Sequence, residues 1–337
     1  MKLAVSVKGS DPFPSSQFQC FFSFPQEGQT PFLPQPNRAG MKQRLLPYLQ
    51  LLRLPAVFTA MADICLGFLL THDSFEPRLK FGLLLVASSC LYLTGMVFND
   101  IFDRNIDAKE RPNRPIPSGR VPFMSALKMG ILLLLAGLGA AKVAGIQSLI
   151  VAAVLTGCIF AYNGYLKKTF AGPIAMGACR FLNVMLGASA VEPATTLWQL
   201  PQLHVAAGLG IYIIGVTWFA RQEAIISNRN QLLLGIGVIN LGLAILIGFL
   251  LNWHGHERAM VLFVLAVIAL TINRRVIAAM FDPVPHQVQT AVKTLLLSLV
   301  MLDATMILFV TGNVAYAAAT AALLIPSIVI ARWIAVT

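Results

Sequence analysis

The chain has 337 residues, of which 57% are hydrophobic and 12% charged, and its formal net charge is +11. A soluble globular protein carries roughly a quarter charged residues, so this shortfall excludes an ordinary water-soluble domain, and the mean hydropathy of +0.74 points to lipid as the solvent. The positive charge does not indicate nucleic acid, because Lys and Arg fall in short clusters between apolar runs, as in cytoplasmic loops.

Residues 1 to about 42 are rich in Pro, Gln and Ser and show no helical period. They lack the continuous apolar core of a secretory signal. They are expected to form a disordered tail, or an upstream extension with the working start at Met41. Residues 43–337 read as one all-α integral membrane domain, a bundle of nine or ten transmembrane helices. Apolar runs of spanning length lie near 50–71, 79–98, 123–143, 146–165, 173–191, 203–220, 231–252, 258–276, 287–311 and 314–334. The eighth is the weakest, since Asn273, Arg274 and Arg275 crowd its end, and nine spans result if it is re-entrant. With the N-terminus inside, the cytoplasmic connections carry most of the Lys and Arg, including Arg104, Arg111, Arg114, Lys167, Lys168, Arg221 and Arg229. That bias predicts a multi-pass protein of the cell (inner) membrane with an inside N-terminus and an even number of spans. The five cysteines form no CxxC pair and read as small packing residues.

The segment from Asn99 to Asp107, NDIFDRNID, follows the second run. If the helix continues through it at about 100° per residue, Asp100, Asp103 and Asp107 fall within an arc of roughly 60°, with Asn99 beside them. Three carboxylates brought together repel one another, and a divalent cation relieves the conflict. Hard oxygen donors that leave coordination sites open suit Mg²⁺ shared with phosphates. The alternative is a solvated acidic face paired with Arg104 and Arg111. An EF-hand is excluded, because Ala108 stands where the loop needs Gly and Arg114 where it needs Glu. Immediately afterwards, Pro112, Pro115 and Pro117 break the helix and force a stiff turn carrying Arg111, Arg114 and Arg120. Guanidinium groups beside such a patch suit the remaining oxygens of a diphosphate.

The stretch NDIFDRNIDAKERPNRPIPSG resembles the first Asp-rich motif and RPxPSG tail of the UbiA superfamily of membrane prenyltransferases. The resemblance extends from about Arg53, where Arg53-Leu54-Pro55 looks like the motif preceding the family's first span. Lys167 and Lys168, with Pro173, resemble its basic loop between spans four and five. It implies a fold of the UbiA type, Asp100, Asp103 and Asp107 as catalytic carboxylates, and Mg²⁺ held by Asn99, Asp100, Asp103, Asp107 and Glu223. It also implies diphosphate contacts from Arg104, Arg111, Arg114, Lys167, Lys168, Arg180 and Tyr162. For the Lys167–Lys168 loop and Tyr162, ordinary positive-inside topology and an interfacial aromatic stand as the alternative.

The second Asp-rich motif of that family departs here. Glu223 occupies the leading position, while later acidic positions are Ile225, Ile226 and Ser227. Either one metal with Arg221 and Arg229 suffices, or the chain binds an isoprenoid diphosphate without turning it over. This departure also resembles the EboC-type branch of UbiA-like proteins. Buried charge marks the runs themselves: Arg180, with Asn183 nearby, faces either the diphosphate pocket or Asp63, and Asp303 and Lys293 carry no assigned role. The resemblance implies transfer of a polyprenyl group from an isoprenoid diphosphate donor to a lipophilic acceptor, aromatic or otherwise, amid membrane lipid. The rival reading is a transporter or isoprenoid-binding membrane protein on the same scaffold.

Overall fold

In hydrocarbon a backbone must satisfy its own hydrogen bonds, and every regular element among the described residues is helical. The computed structural model describes residues 41–223 and 226–336, so the segment expected as a tail lies outside the described residues up to residue 40. The helices are α1 (Met41–Leu52), α2 (Val57–Leu69), α3 (Arg78–Glu110), α4 (Phe123–Ala144), α5 (Ile146–Gly164) and α6 (Gly172–Ala188). They continue with α7 (Leu200–Phe219), α8 (Arg229–Asn252), α9 (Arg258–Phe281), α10 (Pro285–Thr311), α11 (Val314–Ala321) and α12 (Leu324–Val336).

Among the described residues, eight helical segments are long and apolar enough to cross a membrane, with α11 and α12 acting as one from Val314 to Arg332. The bent pair Leu45–Leu52 and Leu54–Leu69 makes a ninth. Helix α6 fills the remaining expected run, the fifth (173–191), with 17 residues, a rise of about 26 Å at 1.5 Å per residue. The expected weak point proves sound. Helix α9 runs unbroken for 24 residues because Asn273 exchanges two 2.9 Å amide hydrogen bonds with Asn240 of α8, while Arg274 and Arg275 are exposed.

The break falls instead in the first run. Arg53 adopts a left-handed conformation (φ 48°, ψ 46°), Pro55 follows within a 3₁₀ turn, and the two halves meet at 41°. A non-glycine residue in that region costs of order 1–2 kcal/mol, so surrounding contacts must hold it. Ser327 of α12 donates a 2.8 Å hydrogen bond to the Pro55 carbonyl, which ties the bend to the far end of the chain.

Helices α7 and α10 bury 67% of their apolar windows, whereas α4 and α9 bury 22%. The former therefore form the interior and the latter face lipid, together with Leu132, Leu135, Phe263 and Leu270. Small residues bring α2 and α6 into backbone contact. A methyl group on Gly187 would stand 2.8 Å from the Ile64 carbonyl oxygen, and one on Gly67 would run into the Val184 carbonyl. With no hydrophobic force between helices in lipid, close packing of this kind holds the bundle. Gly187→Val is expected to destabilise the chain by about 3 kcal/mol through overpacking. Gly82→Ala, whose added atom meets nothing within 4 Å, is expected to leave it unchanged. Thermal unfolding in detergent compares the two.

Candidate active site at one end of the bundle

Helix α3 is 33 residues long, about 50 Å, which exceeds the roughly 30 Å hydrocarbon core. Its last turns therefore leave the apolar layer and still belong to the helix, as the spacing of the acidic residues requires. Asn99, Asp100, Asp103 and Asp107 are 6%, 4%, 3% and 1% exposed, so the acidic stripe faces inward rather than to water. The reading of a solvated acidic face fails on that burial.

Three cations meet the stripe, each delivered by a different break in the helices. Arg53, freed by the left-handed bend after α1, places Nη2 2.8 Å from Asp100 Oδ1. The proline-rich turn after α3 folds back, with the Val121 amide donating to the Pro115 carbonyl at 2.9 Å. Val121 is anchored in a small cluster with Leu51, Val97 and Ala126. This turn sets Arg114 Nη1 3.2 Å from Asp100 Oδ1 and 2.8 Å from Asp107 Oδ2. The 3₁₀ turn Leu166–Lys168 after α5 brings Lys167 Nζ to 2.5 Å from Asp103 Oδ1 and 3.2 Å from Asn99 Oδ1. Burial pulls Lys167 below the usual lysine range and Arg114 below the usual arginine range; the neighbouring aspartates oppose the shift in both. Three carboxylates thus stand against three basic groups in a nearly dry pocket.

Each of the three carboxylates has a basic partner. Among the described residues, no three His, Cys, Asp or Glu side chains gather closely enough to hold a metal ion by themselves. The donors still fit Mg²⁺ in kind, being hard oxygens on one buried face, provided diphosphate or water oxygens complete the shell.

Other expected contributors are placed differently. Arg104, one residue and 100° round from Asp103, is exposed and lies over the Phe123 ring at 4.5 Å. Lys168 is exposed, and Arg111 is half-buried at the C-terminal end of α3 beside Arg114. Tyr162 is buried and stands within electrostatic reach of Asp103, Arg53 and Arg221. Glu223 is buried beyond α7, where Gln289 of α10 donates to its backbone carbonyl at 3.3 Å. Arg221 Nη2 donates to the Thr169 carbonyl at 3.2 Å, tying that segment to the loop after Lys167. Ile225 lies outside the described residues, Ile226 is exposed, and Ser227 binds the Gln222 carbonyl. Arg180 takes the second of its two expected partners: its Nη1 lies 2.6 Å from Asp63 Oδ2.

A cavity of about 160 Å³ begins at Arg53 and Asn99 and runs into the bundle between apolar walls that include Leu155, Ile159, Leu296 and Leu299. Arg53 is the contributor that the sequence did not single out as a site residue. Its place directly before Leu54-Pro55 was the available signal.

Charged groups beside the opening of an apolar cavity suit an amphiphile with a polar head. Residues 58–279 match the UbiA prenyltransferase family. This chain belongs to that family. Similar curated proteins include the digeranylgeranylglyceryl phosphate synthases of Sulfurisphaera tokodaii, 29% identical over 121 residues (36% of this chain, 44% of the relative), and Methanopyrus kandleri, 32% identical over 158 residues (45% and 56%). The chain spans about half the length of these relatives. Among solved structures, a UbiA homologue from Archaeoglobus fulgidus bound to DMAPP and Mg²⁺ has a TM-score of 0.56 at 16% identity, covering 82% of this chain and 99% of that one. A digeranylgeranylglyceryl phosphate synthase structure gives 0.60 at 20% identity, covering 80% of this chain and all of the other. At these identities the likeness is one of fold, and it agrees with the all-helical membrane bundle.

Proposed function

We propose that this UbiA-family chain is an intramembrane prenyltransferase that moves a prenyl group from an isoprenoid diphosphate to a lipophilic acceptor with the help of Mg²⁺. The observation that carries this reading is the balanced cluster of Asp100, Asp103 and Asp107 with Arg53, Arg114 and Lys167, which adjoins the apolar cavity through Arg53 and Asn99. In it, the carboxylates and the cations are each other's partners until a ligand separates them. A diphosphate takes the basic groups: its oxygens accept from the Arg53 and Arg114 guanidiniums and from Lys167 Nζ. Mg²⁺, held by Asn99, Asp100, Asp103 and Asp107, would stabilise charge on the diphosphate as it departs. The C1–O bond breaks with its electron pair going to the diphosphate. The apolar walls keep water from the allylic cation until the acceptor bonds to C1 and gives up a proton. Glu223 remains a candidate helper from the second segment. The Lys and Arg clusters support placing this mouth on the cytoplasmic side of the cell membrane. The names of the relatives support an isoprenoid-type donor.

The eroded second acidic segment, with Ile226 and Ser227 at acidic positions of the family motif, favours one rival, a protein that binds isoprenoid diphosphates without turning them over. Purified chain in lipid nanodiscs, given a labelled allylic diphosphate and a mixed panel of lipophilic acceptors, is expected to release diphosphate with Mg²⁺. Release should fall by at least about 100-fold in EDTA. Metal-dependent binding with no release would establish the rival, and absence of both would remove the diphosphate reading.

A further inference from the structure

The far end of the cavity carries charge in the middle of the bundle, well away from the mouth. Asp63 of α2 is fully buried. Its Oδ2 accepts from Arg180 Nη1 at 2.6 Å and from Asn183 Nδ2 at 2.8 Å. Asn183 in turn accepts from Ser88 Oγ of α3 at 2.7 Å and donates to the Ala60 carbonyl at 2.9 Å. Asp303, one turn beyond Leu299 on α10, is also fully buried and acts electrostatically on Asp63. Asp63, Ser88, Arg180 and Asn183 line the same cavity as Arg53 and Asn99. Along α3, Ser88 lies 11 residues before Asn99, about 16 Å of helical rise. Ser88 and Asn183 therefore stand deeper in the cavity than the mouth, while Arg180 also donates to the Thr59 carbonyl at 3.2 Å, on the side towards Arg53.

Three features indicate a ligand there rather than a structural tie alone. Arg180, with its side chain 10% exposed, keeps Nε and Nη2 without a hydrogen-bond partner among the described residues. Such donors are costly to leave unmade in a bilayer. The groups come from four helices around a cavity, whereas a helix–helix tie needs only two. The cavity's volume, about 160 Å³, is close to that of an engineered cavity of roughly 150 Å³ that takes one benzene molecule.

The charge of the floor sets what it accepts. The charged groups acting on Asp63 and Asp303 are each other and Arg180. Two carboxyl groups against one guanidinium give a net charge of −1, or 0 if a proton is shared. Neither state attracts a further anion, and both offer hydrogen bonds to a neutral hydroxyl.

We propose that Asp63, Arg180, Asn183 and Ser88, backed by Asp303, form a specificity-determining floor that receives an uncharged hydroxyl-bearing group of the acceptor and turns away an anionic one. That this ligand is the acceptor rests on the prenyltransferase reading; the binding preference does not.

The test uses the full chain in nanodiscs without donor, titrated calorimetrically with phenol and benzoate, two rings of similar size that differ in charge. Phenol is expected to bind at least about tenfold more tightly. Arg180→Gln, which removes the guanidinium donors that the floor offers, should weaken phenol binding by at least about tenfold. Ile159→Trp, which fills the cavity from its wall, should abolish phenol binding and serves if Arg180→Gln does not fold. Equal binding of the two rings, tighter binding of benzoate, unchanged phenol binding in folded Arg180→Gln, or phenol binding that survives Ile159→Trp each overturns the proposal. Phenol preference without any prenyl transfer keeps the floor and removes the transferase reading. Transfer by a chain with no ring preference does the reverse.

Discussion

Asp100→Ala and Asp103→Ala are each expected to lower Mg²⁺-dependent diphosphate release by at least about 100-fold, the scale on which a preorganised electrostatic group acts. The two variants should differ in the metal-free state. Asp100 Oδ1 is shared by Arg53 and Arg114, so its removal leaves two guanidinium groups turned towards the mouth with one carboxylate fewer. Diphosphate alone should then bind more tightly to Asp100→Ala than to the parent chain, even as turnover collapses. Asp103→Ala frees the Lys167 ammonium from its carboxylate but leaves it on Asn99 Oδ1, and its metal-free gain should be smaller. Arg104→Ala, which removes a side chain stacked on Phe123 outside the cluster, should stay within about twofold of the parent. Binding by calorimetry and release by phosphate detection after pyrophosphatase treatment separate the two effects. Unchanged release in both aspartate variants would sink the transferase reading.

Arg180→Met is expected to cost about 3–5 kcal/mol of stability, among the largest effects of any single replacement in the chain. Removing one partner of a buried ion pair leaves a charge without compensation, here Asp63 at 0% exposure with a second carboxyl group, Asp303, beside it. The companion change Asp63→Asn should restore much of the loss, because the amide can still accept from Asn183. Denaturant unfolding in mixed micelles, carried through the full double-mutant cycle, isolates the pair. A loss below about 1 kcal/mol for Arg180→Met would mean that the pair does not hold α2 to α6 in the membrane.

The acidic stripe was legible because it is local. Asp100, Asp103 and Asp107 fall on one face through the helical period alone, and the three prolines mark where that helix ends. The ten apolar runs were legible for a similar reason, since hydrocarbon thickness sets the length of a span. Arg53 was harder to read, because its role depends on a left-handed bend held by Ser327, 272 residues away. The same limit explains the misplaced weak point. Asn273 looks like a defect in α9 until Asn240 of α8 is brought against it. The family resemblance implied Arg104 as a diphosphate contact, yet one step along a helix from Asp103 is a turn of 100°, which leaves it exposed over Phe123.

By itself the sequence determined a multi-span helical bundle, the shared acidic face of α3 and the family motif, since each depends on composition or on residues within a few turns of one another. Only the tertiary structure decided which cations neutralise that face, that Arg180 joins Asp63, and that a single cavity links the two charged ends. Apart from the Arg114 contacts, 7 and 14 positions apart, those outcomes join residues 47 to 117 positions apart. A buried charge takes whichever counter-charge the packing of helices brings within about 3 Å, and chain order carries no record of that distance.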